Sequence, residues 1–437
     1  MINNSNKIAL LSIISQIVRV FSGPLVIIVV AKTLTTGEMS LYYAFFNVIA
    51  LQQIMEMGIG FTIKQYISHS YKLTEKNEWG QESKANIISY MKFSFLWYLV
   101  ISLFIFFILG YVGSVFFSSY KGSTDWKGAW WMLVFITGFF TIVTPFQFLI
   151  EGCQRQISIY KSRLLSGIFL SLVLGLSLYY GAGLYSIAIA VFISNLIFYL
   201  YLFKTIKELV SELIGVKTKK NIKTTFIEVW DMLSKISVTW ILGYFFWNSF
   251  NLIAFKMLTN DLAGRFGFTL SLVRAGYSIA ESIVASQTTI YASYISAGEV
   301  KLARRQFEKS MYISMALLIS GYFLYIAVYK ILPGLFIFDK TLNLTYTIEM
   351  FLYFVLLLPV TSQANYCRCF KNEPYFKLSL FMNIQVPIVF YLTCYYVGEP
   401  NFIYLLPFSM LSLIWSCYIY YDTENRYKIK CRQENMK

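Results

Sequence analysis

The chain predicts an all-α polytopic membrane protein, with about twelve transmembrane helices in two six-helix bundles around a central cavity. Three observations carry that expectation. Apolar stretches long enough to cross a bilayer recur along the 437 residues with only short loops between most of them, and a hydrocarbon core asks roughly 20 apolar residues of a helix. Hydrophobic residues make up 57% of the chain and charged residues 14%, a balance that excludes an ordinary soluble enzyme. Runs such as 93–109 and 311–332 are apolar on every side, whereas the strands of a membrane barrel alternate.

Taken in order, the first half carries spans at 8–30, 41–61, 88–112, 129–150, 164–180 and 184–203. The first of these is too long for the core of a signal peptide and lacks a small-residue cleavage site, so it reads as a span. Gly181-Ala182-Gly183 leaves a very tight turn between the fifth and sixth. The second half carries spans at 238–258, 266–290, 310–332, 346–366, 376–397 and 402–421. The organisation is then an N-terminal bundle over 1–203, a basic cytoplasmic linker over 204–237, a C-terminal bundle over 238–421 and a basic cytoplasmic tail over 422–437. Pro24, Pro145, Pro359, Pro387 and Pro407 interrupt spans, each removing a backbone hydrogen bond. Pro24, just after Arg19, is a candidate gating bend for the outer half of the first span.

Charge sets the orientation. Lys64, Lys72, Lys76 and Lys84 follow span two; Lys204, Lys207 and Lys217 to Lys235 follow span six; Lys301, Arg304, Arg305 and Lys309 follow span eight. The opposite loops hold few basic residues. Basic loops stay in the cytoplasm, so both termini are expected there. The net charge of +15 is thus spread along one membrane face, which argues against nucleic acid as a partner. Six cysteines and a single histidine, His69, give no four-ligand metal set. No phosphate-binding glycine loop, nucleophile elbow or dinucleotide fingerprint occurs, so neither a metal nor a cofactor is expected, nor enzymatic activity.

The halves echo one another. Leu34-Thr35 is followed by Tyr66-Ile67-Ser68, and Leu258-Thr259 by Tyr294-Ile295-Ser296; the intervals from Leu34 to Tyr66 and from Leu258 to Tyr294 are 32 and 36 residues. Six spans separate the two phrases, so a parallel repeat about an axis along the membrane normal is expected.

Polar residues inside spans mark the candidate site. An ionisable side chain at mid-bilayer costs about 2.5–3.5 kcal/mol on insertion scales, so it normally faces a cavity or a partner. Arg19 continues a stripe with Ser12, Gln16 and Ser22. Arg274 and Glu281 lie in span eight; Trp247, Asn248 and Asn251 line one side of span seven, with Lys256 near its end. Arg19 and Arg274 are candidates to attract an anionic group such as phosphate, which the planar guanidinium fork suits, with Lys256, Trp247, Asn248 and Asn251 as further substrate contacts. Glu281, Glu56 and Glu151 are candidates for coupling or gating. The plainer alternative is that Ser, Thr, Asn and Gln glue helices together, and that Lys256 snorkels.

Glu56-Met57-Gly58-Ile59-Gly60, then Lys64-Gln65-Tyr66-Ile67-Ser68, resembles a signature of bacterial O-antigen flippases of the Wzx type. Glu151-Gly152-Cys153-Gln154-Arg155 is similar to the end of their fourth helix, and Gly181-Ala182-Gly183-Leu184-Tyr185 to their turn between helices five and six. The resemblance covers nearly the whole chain and extends to lipid II flippases and multidrug extruders of the same superfamily. It implies movement of an undecaprenyl-pyrophosphate-linked oligosaccharide from the cytoplasmic to the periplasmic leaflet, among membrane lipids and with a polysaccharide polymerase and chain-length regulator as partners. It also implies a lumen-facing Arg19. Asn248 and Asn251 stand where many relatives carry an Asp, so H+ or Na+ coupling at that point is not carried over. An ion-driven multidrug exporter is the alternative reading, and an O-antigen polymerase a further one.

Overall fold

A computed structural model describes residues 26–71, 79–216, 218, 220–370 and 373–434. Most of predicted span one therefore lies outside the described residues, and Arg19 and Pro24 with it. The contacts divide the chain into two compact units: Leu41–Tyr244 with the residues up to Leu34, and Phe245–Lys437 with Thr35–Ser40.

In the first unit, α1 (Thr36–Ile49, entering from the other unit), α2 (Gln52–Glu56) and α3 (Ile59–Ser70) make one span broken by a 45° bend. The break has a local cause. Met57 and Gly58 are successive left-handed residues, at φ 49° and 77°, and a second such residue cannot continue a right-handed helix. Next, α4 (Gln81–Leu103) passes through a wide π-type turn, Phe104–Leu109, into α5 (Gly110–Phe117), a run of 37 helical residues. Gly110 and Gly113 let α6 (Lys127–Val143) come close. A Cβ on Gly113 would lie 2.2 Å from the Trp130 ring, and Trp130 Nε1 donates to the Gly110 carbonyl at 2.9 Å. Small residues serve helix packing in lipid in this way. Pro145 opens α7 (Pro145–Gly152), where its missing N–H costs nothing. A hairpin of α8 (Gln156–Tyr179) and α9 (Tyr185–Leu213) follows, turning through Gly181 and Gly183 at φ 82° and 51°. That is the tight turn expected from the glycines. The segment 204–237 carries the last turns of α9 and the start of α10 (Ile222–Met257).

The second unit holds the rest of α10, then α11 (Asn260–Ala285), α12 (Thr288–Ser296), α13 (Val300–Ile331), α14 (Leu344–Arg368), α15 (Phe376–Val397) and α16 (Leu406–Glu434). Thr259 and Asn343 cap α11 and α14 by accepting from the amides of Leu262 and Tyr346, satisfying donors that every helix start leaves unpaired. The core is aromatic: Phe250, Phe266, Phe390 and Phe402 lie with ring centroids 5.0–6.2 Å apart.

Among the described residues, eight helices are long and apolar enough to cross a membrane, or nine with the broken span. Two more, α10 and α11, occupy predicted spans seven and eight and carry the polar residues noted there. Large apolar side chains, among them Phe107, Leu172, Phe323 and Ile414, stand exposed along the spans, a surface that lipid rather than water covers. The chain is an all-helical, multi-pass membrane protein.

Candidate functional site

Of the polar residues expected on spans seven and eight, Arg274 and Trp247 lie in contact. In the second unit, Arg274 of α11 donates from Nη2 to the Trp247 carbonyl of α10 at 2.7 Å. Its guanidinium lies over the Trp247 ring at 5.6 Å and the Phe250 ring at 5.8 Å. Aromatic faces offset part of the desolvation of a cation, and Arg, being planar and weakly hydrated, uses them better than Lys. The Nε of Arg274 is buried with no hydrogen-bond partner, and so are Oδ1 of Asn251 and the hydroxyl of Tyr353. Phe250 links the guanidinium to Tyr353, with ring centroids 6.3 Å apart. Two turns along α11, Glu281 forms no ion pair or hydrogen bond among the described residues; between them Tyr277 shares a 2.8 Å hydrogen bond with Thr361. Arg274 has no carboxylate partner either. The arrangement presents a buried guanidinium with one unsatisfied donor, Nε, on an aromatic bed, which is suited to an anionic group.

Three carboxylates shape the first unit. Glu56 ends α2 at the break and has no ion-pair partner among the described residues. Glu151, at the end of α7, is clasped by Lys64 of α3 at 3.0 Å and by Arg163 of α8; its side chain is 12% exposed, so the pair is partly sheltered. Glu228, on the first turns of α10, accepts from the Tyr90 hydroxyl at 2.7 Å and from Lys220 at 2.7 Å, while Tyr66 donates to its backbone carbonyl at 2.8 Å. Partial burial pushes the Glu228 carboxyl up, but the hydrogen bonds from Lys220 and Tyr90 and the Lys220 charge outweigh it and hold it below the ordinary carboxylate range. Beside this clasp opens a polar cavity of about 550 Å³, lined by His69, Glu82 and Asn86 among others.

The remaining predicted residues are placed as follows. Asn248 lies one residue beyond Trp247 on α10 and is half-buried. Lys256 is exposed in the last turn of α10. Three residues important to the structure were not anticipated. Glu349 accepts from the Phe402 amide at 3.0 Å, and a lone carboxylate in an apolar span was a usable signal. Glu424 is buried and held by Tyr366 at 3.0 Å and Arg304 at 3.4 Å. Glu228 gave no signal, since an acid in a basic loop looks ordinary until its partners arrive from 138 and 162 residues away. Among the described residues no group of His, Cys, Asp and Glu could hold a metal ion.

No protein-family model matches the chain, and no curated protein matches it either. Solved structures do. An inward-facing multidrug resistance MATE family transporter of the MOP superfamily superposes with a TM-score of 0.67 at 12% identity, covering 94% of this chain and 99% of that one. The lipid II flippase MurJ, in an inward closed conformation, gives 0.64 at 14% identity, over 95% and 87%. A MOP superfamily transporter from Pyrococcus furiosus, described as having a binding pocket of reverse polarity, gives 0.58 at 11%, over 97% and 95%. At these identities the likeness is one of fold, a MOP-type transporter fold over 94–97% of this chain.

Proposed function

We propose that this protein is a flippase that moves an undecaprenyl-pyrophosphate-linked oligosaccharide from the cytoplasmic to the periplasmic leaflet of a bacterial inner membrane by alternating access, with both termini in the cytoplasm. The observation that carries the reading is Arg274, a guanidinium in predicted span eight with no carboxylate partner among the described residues and an unsatisfied Nε. A pyrophosphate supplies what it lacks, because phosphate oxygens match the guanidinium fork. Trp247 beside it offers an aromatic face for sugars, and Asn251, one turn further along α10, an amide whose Oδ1 is unsatisfied. The fold shared with MurJ, itself a lipid II flippase, supports a lipid-linked substrate, and the Wzx-type motifs favour a polysaccharide repeat unit over lipid II. An H+ or Na+ gradient or removal of product downstream supplies the drive, and Arg19 of the first span is a further candidate cation for the substrate.

Deleting the gene and measuring surface polysaccharide together with lipid-linked oligosaccharide in each leaflet tests the proposal. Loss of the polymer with single repeat units trapped in the inner leaflet supports a flippase. Single units accumulating in the outer leaflet would point to a polymerase instead. A second reading, an ion-driven multidrug exporter, is favoured by Glu281 and Glu56, carboxylates in spans without ion-pair partners among the described residues, and by the fold shared with MATE transporters. Hypersensitivity of the deletion strain to cationic drugs, with polysaccharide unchanged, would select it.

A further inference from the structure

The end of the first unit that the basic loops assign to the cytoplasm holds two polar recesses. The cavity beside Glu228, about 550 Å³, is continued by one of about 940 Å³ between α4 and the end of α9. Glu82, Asn86 and Lys220 line both, so the two make one trough. Its α4 wall starts at Gln81, ahead of the apolar stretch that begins near residue 88, and the trough therefore opens to water rather than to hydrocarbon. Each volume falls within the roughly 300–1,000 Å³ of small-ligand sites.

Charge decides what the trough does not take. The chain is strongly basic, yet the two lysines that line this trough are matched by its own carboxylates: Lys84 by Glu212 at 2.9 Å and Lys220 by Glu228 at 2.7 Å. Glu82 has no ion pair among the described residues. A phosphate would thus meet a surplus of carboxylate, where like charge repels it. Ala85, Ile214 and Val216 are the aliphatic side chains among the described lining residues, too few to seat a lipid tail. Hydrogen-bonding capacity is what remains. Gln65, His69, Glu82 and Asn86 line the first recess and make no hydrogen bond or ion pair among the described residues. Two amides, an imidazole and a carboxylate set donors and acceptors side by side. A saccharide answers that mixture, because every sugar hydroxyl both donates and accepts. The wall is also held ready. Tyr66 donates to the Glu228 carbonyl at 2.8 Å and Tyr90 to its carboxylate at 2.7 Å, with the two rings 5.4 Å apart. Side chains fixed before binding lower its entropic cost, and an aromatic ring gives the apolar side of a sugar a surface to lie on.

We propose that this trough is a docking site for an oligosaccharide, with Gln65, Glu82 and Asn86 bonding its hydroxyls. The proposal rests on the flippase reading for the source of the sugar, the head of the lipid-linked substrate before it crosses. It adds to that reading a place on the first unit that takes the sugar and not the pyrophosphate.

Saturation-transfer difference NMR on the purified full chain in detergent tests this, with the oligosaccharide released by mild acid from the host's lipid-linked precursor as the probe. The native chain should saturate the sugar protons, with half-saturation at about 1 mM or below, and excess inorganic pyrophosphate should leave the signal in place. The double variant Glu82→Ala/Asn86→Ala, at positions where a helix accepts alanine, should raise the half-saturation concentration about tenfold by removing two sets of hydrogen bonds, with an unchanged gel-filtration profile. Gln65→Ala, on α3 rather than α4, should weaken binding independently. Absence of sugar saturation by the native chain, displacement by pyrophosphate, or native-like binding by both variants would overturn the proposal. Gene deletion is read separately. Unchanged polysaccharide in the deletion strain, beside sugar binding in the trough, would remove the flippase reading and leave the site. Repeat units trapped in the inner leaflet without sugar binding by the purified chain would keep the flippase and remove the site.

Discussion

Arg274 shows how a residue in lipid must be read through its partners. A lone guanidinium in a spanning helix is costly, and here aromatic faces and one backbone carbonyl hold it, with no carboxylate among the described residues. Removing it costs the Trp247 carbonyl its partner and any anionic ligand its charge-assisted hydrogen bonds, each worth about 1.5–3 kcal/mol. Arg274→Gln is therefore expected to lower translocation about tenfold or more at unchanged protein level in the membrane, and Arg274→Lys to rescue it only in part, because an ammonium lacks the planar fork. A leaflet assay for the lipid-linked oligosaccharide, normalised by immunoblot, reads both; equal activity of native chain and Arg274→Gln would take Arg274 out of the mechanism. This residue was legible in the sequence because a charge amid apolar neighbours has few bland explanations. The pairing of Glu151 with Lys64 and Arg163 was not, since each partner alone sits in an ordinary interfacial position.

At the scale of the element, helix positions followed from apolar length, but helix ends and breaks did not. The bend at Met57–Gly58 needs two left-handed residues, and Gly58 alone gave no hint of Met57. The polar linker conceals helix: α9 runs to Leu213 and α10 starts at Ile222, because polar residues outside the bilayer leave no hydropathic mark. Two expected outcomes follow from packing. A Cβ on Gly264 of α11 would fall 1.8 Å from the Thr36 carbonyl oxygen, a backbone atom that cannot step aside, whereas Gly321 of α13 has open space. Gly264→Ala should thus destabilise by about 1–3 kcal/mol or more and visibly lower the thermal midpoint in detergent, while Gly321→Ala leaves it level or slightly higher. Equal midpoints for the two variants would refute the close approach. The Glu228 clasp gives a pH dependence. A carboxyl held below its unfolded value near 4.3 contributes stability above that value and loses it as pH falls through the lower, folded one. Since Glu228 and Lys220 are each 36% exposed, the pair contributes at most about 1 kcal/mol. Hydrogen exchange in the first turns of α10 should quicken up to about fivefold below pH about 4, after correction for intrinsic rates. Glu228→Gln should make that exchange fast at neutral pH and flatten the profile.

Across the whole molecule the repeated phrase fits the architecture of each unit. Tyr66-Ile67-Ser68 falls in α3 and Tyr294-Ile295-Ser296 in α12, each a short helix after a break in the chain. Both isoleucines are buried, Ile67 so tightly under Gly152 that a Cβ there would approach within 2.5 Å. Two copies of one motif, six predicted spans apart, are expected on the same side of the membrane, and the basic residues around both point to the cytoplasm as that side. The orientation is open to direct measurement. With the native cysteines replaced, Lys121→Cys and Glu399→Cys place thiols in loops expected outside, and Ile214→Cys and Glu299→Cys in loops expected inside. A membrane-impermeant maleimide on intact cells, with the outer membrane opened, should label the first pair fully and the second pair only after lysis. Reversal of that pattern would invert the topology. Labelling of Ile214→Cys without Glu299→Cys would break the parallel relation of the halves, because an odd number of crossings would then separate those two loops.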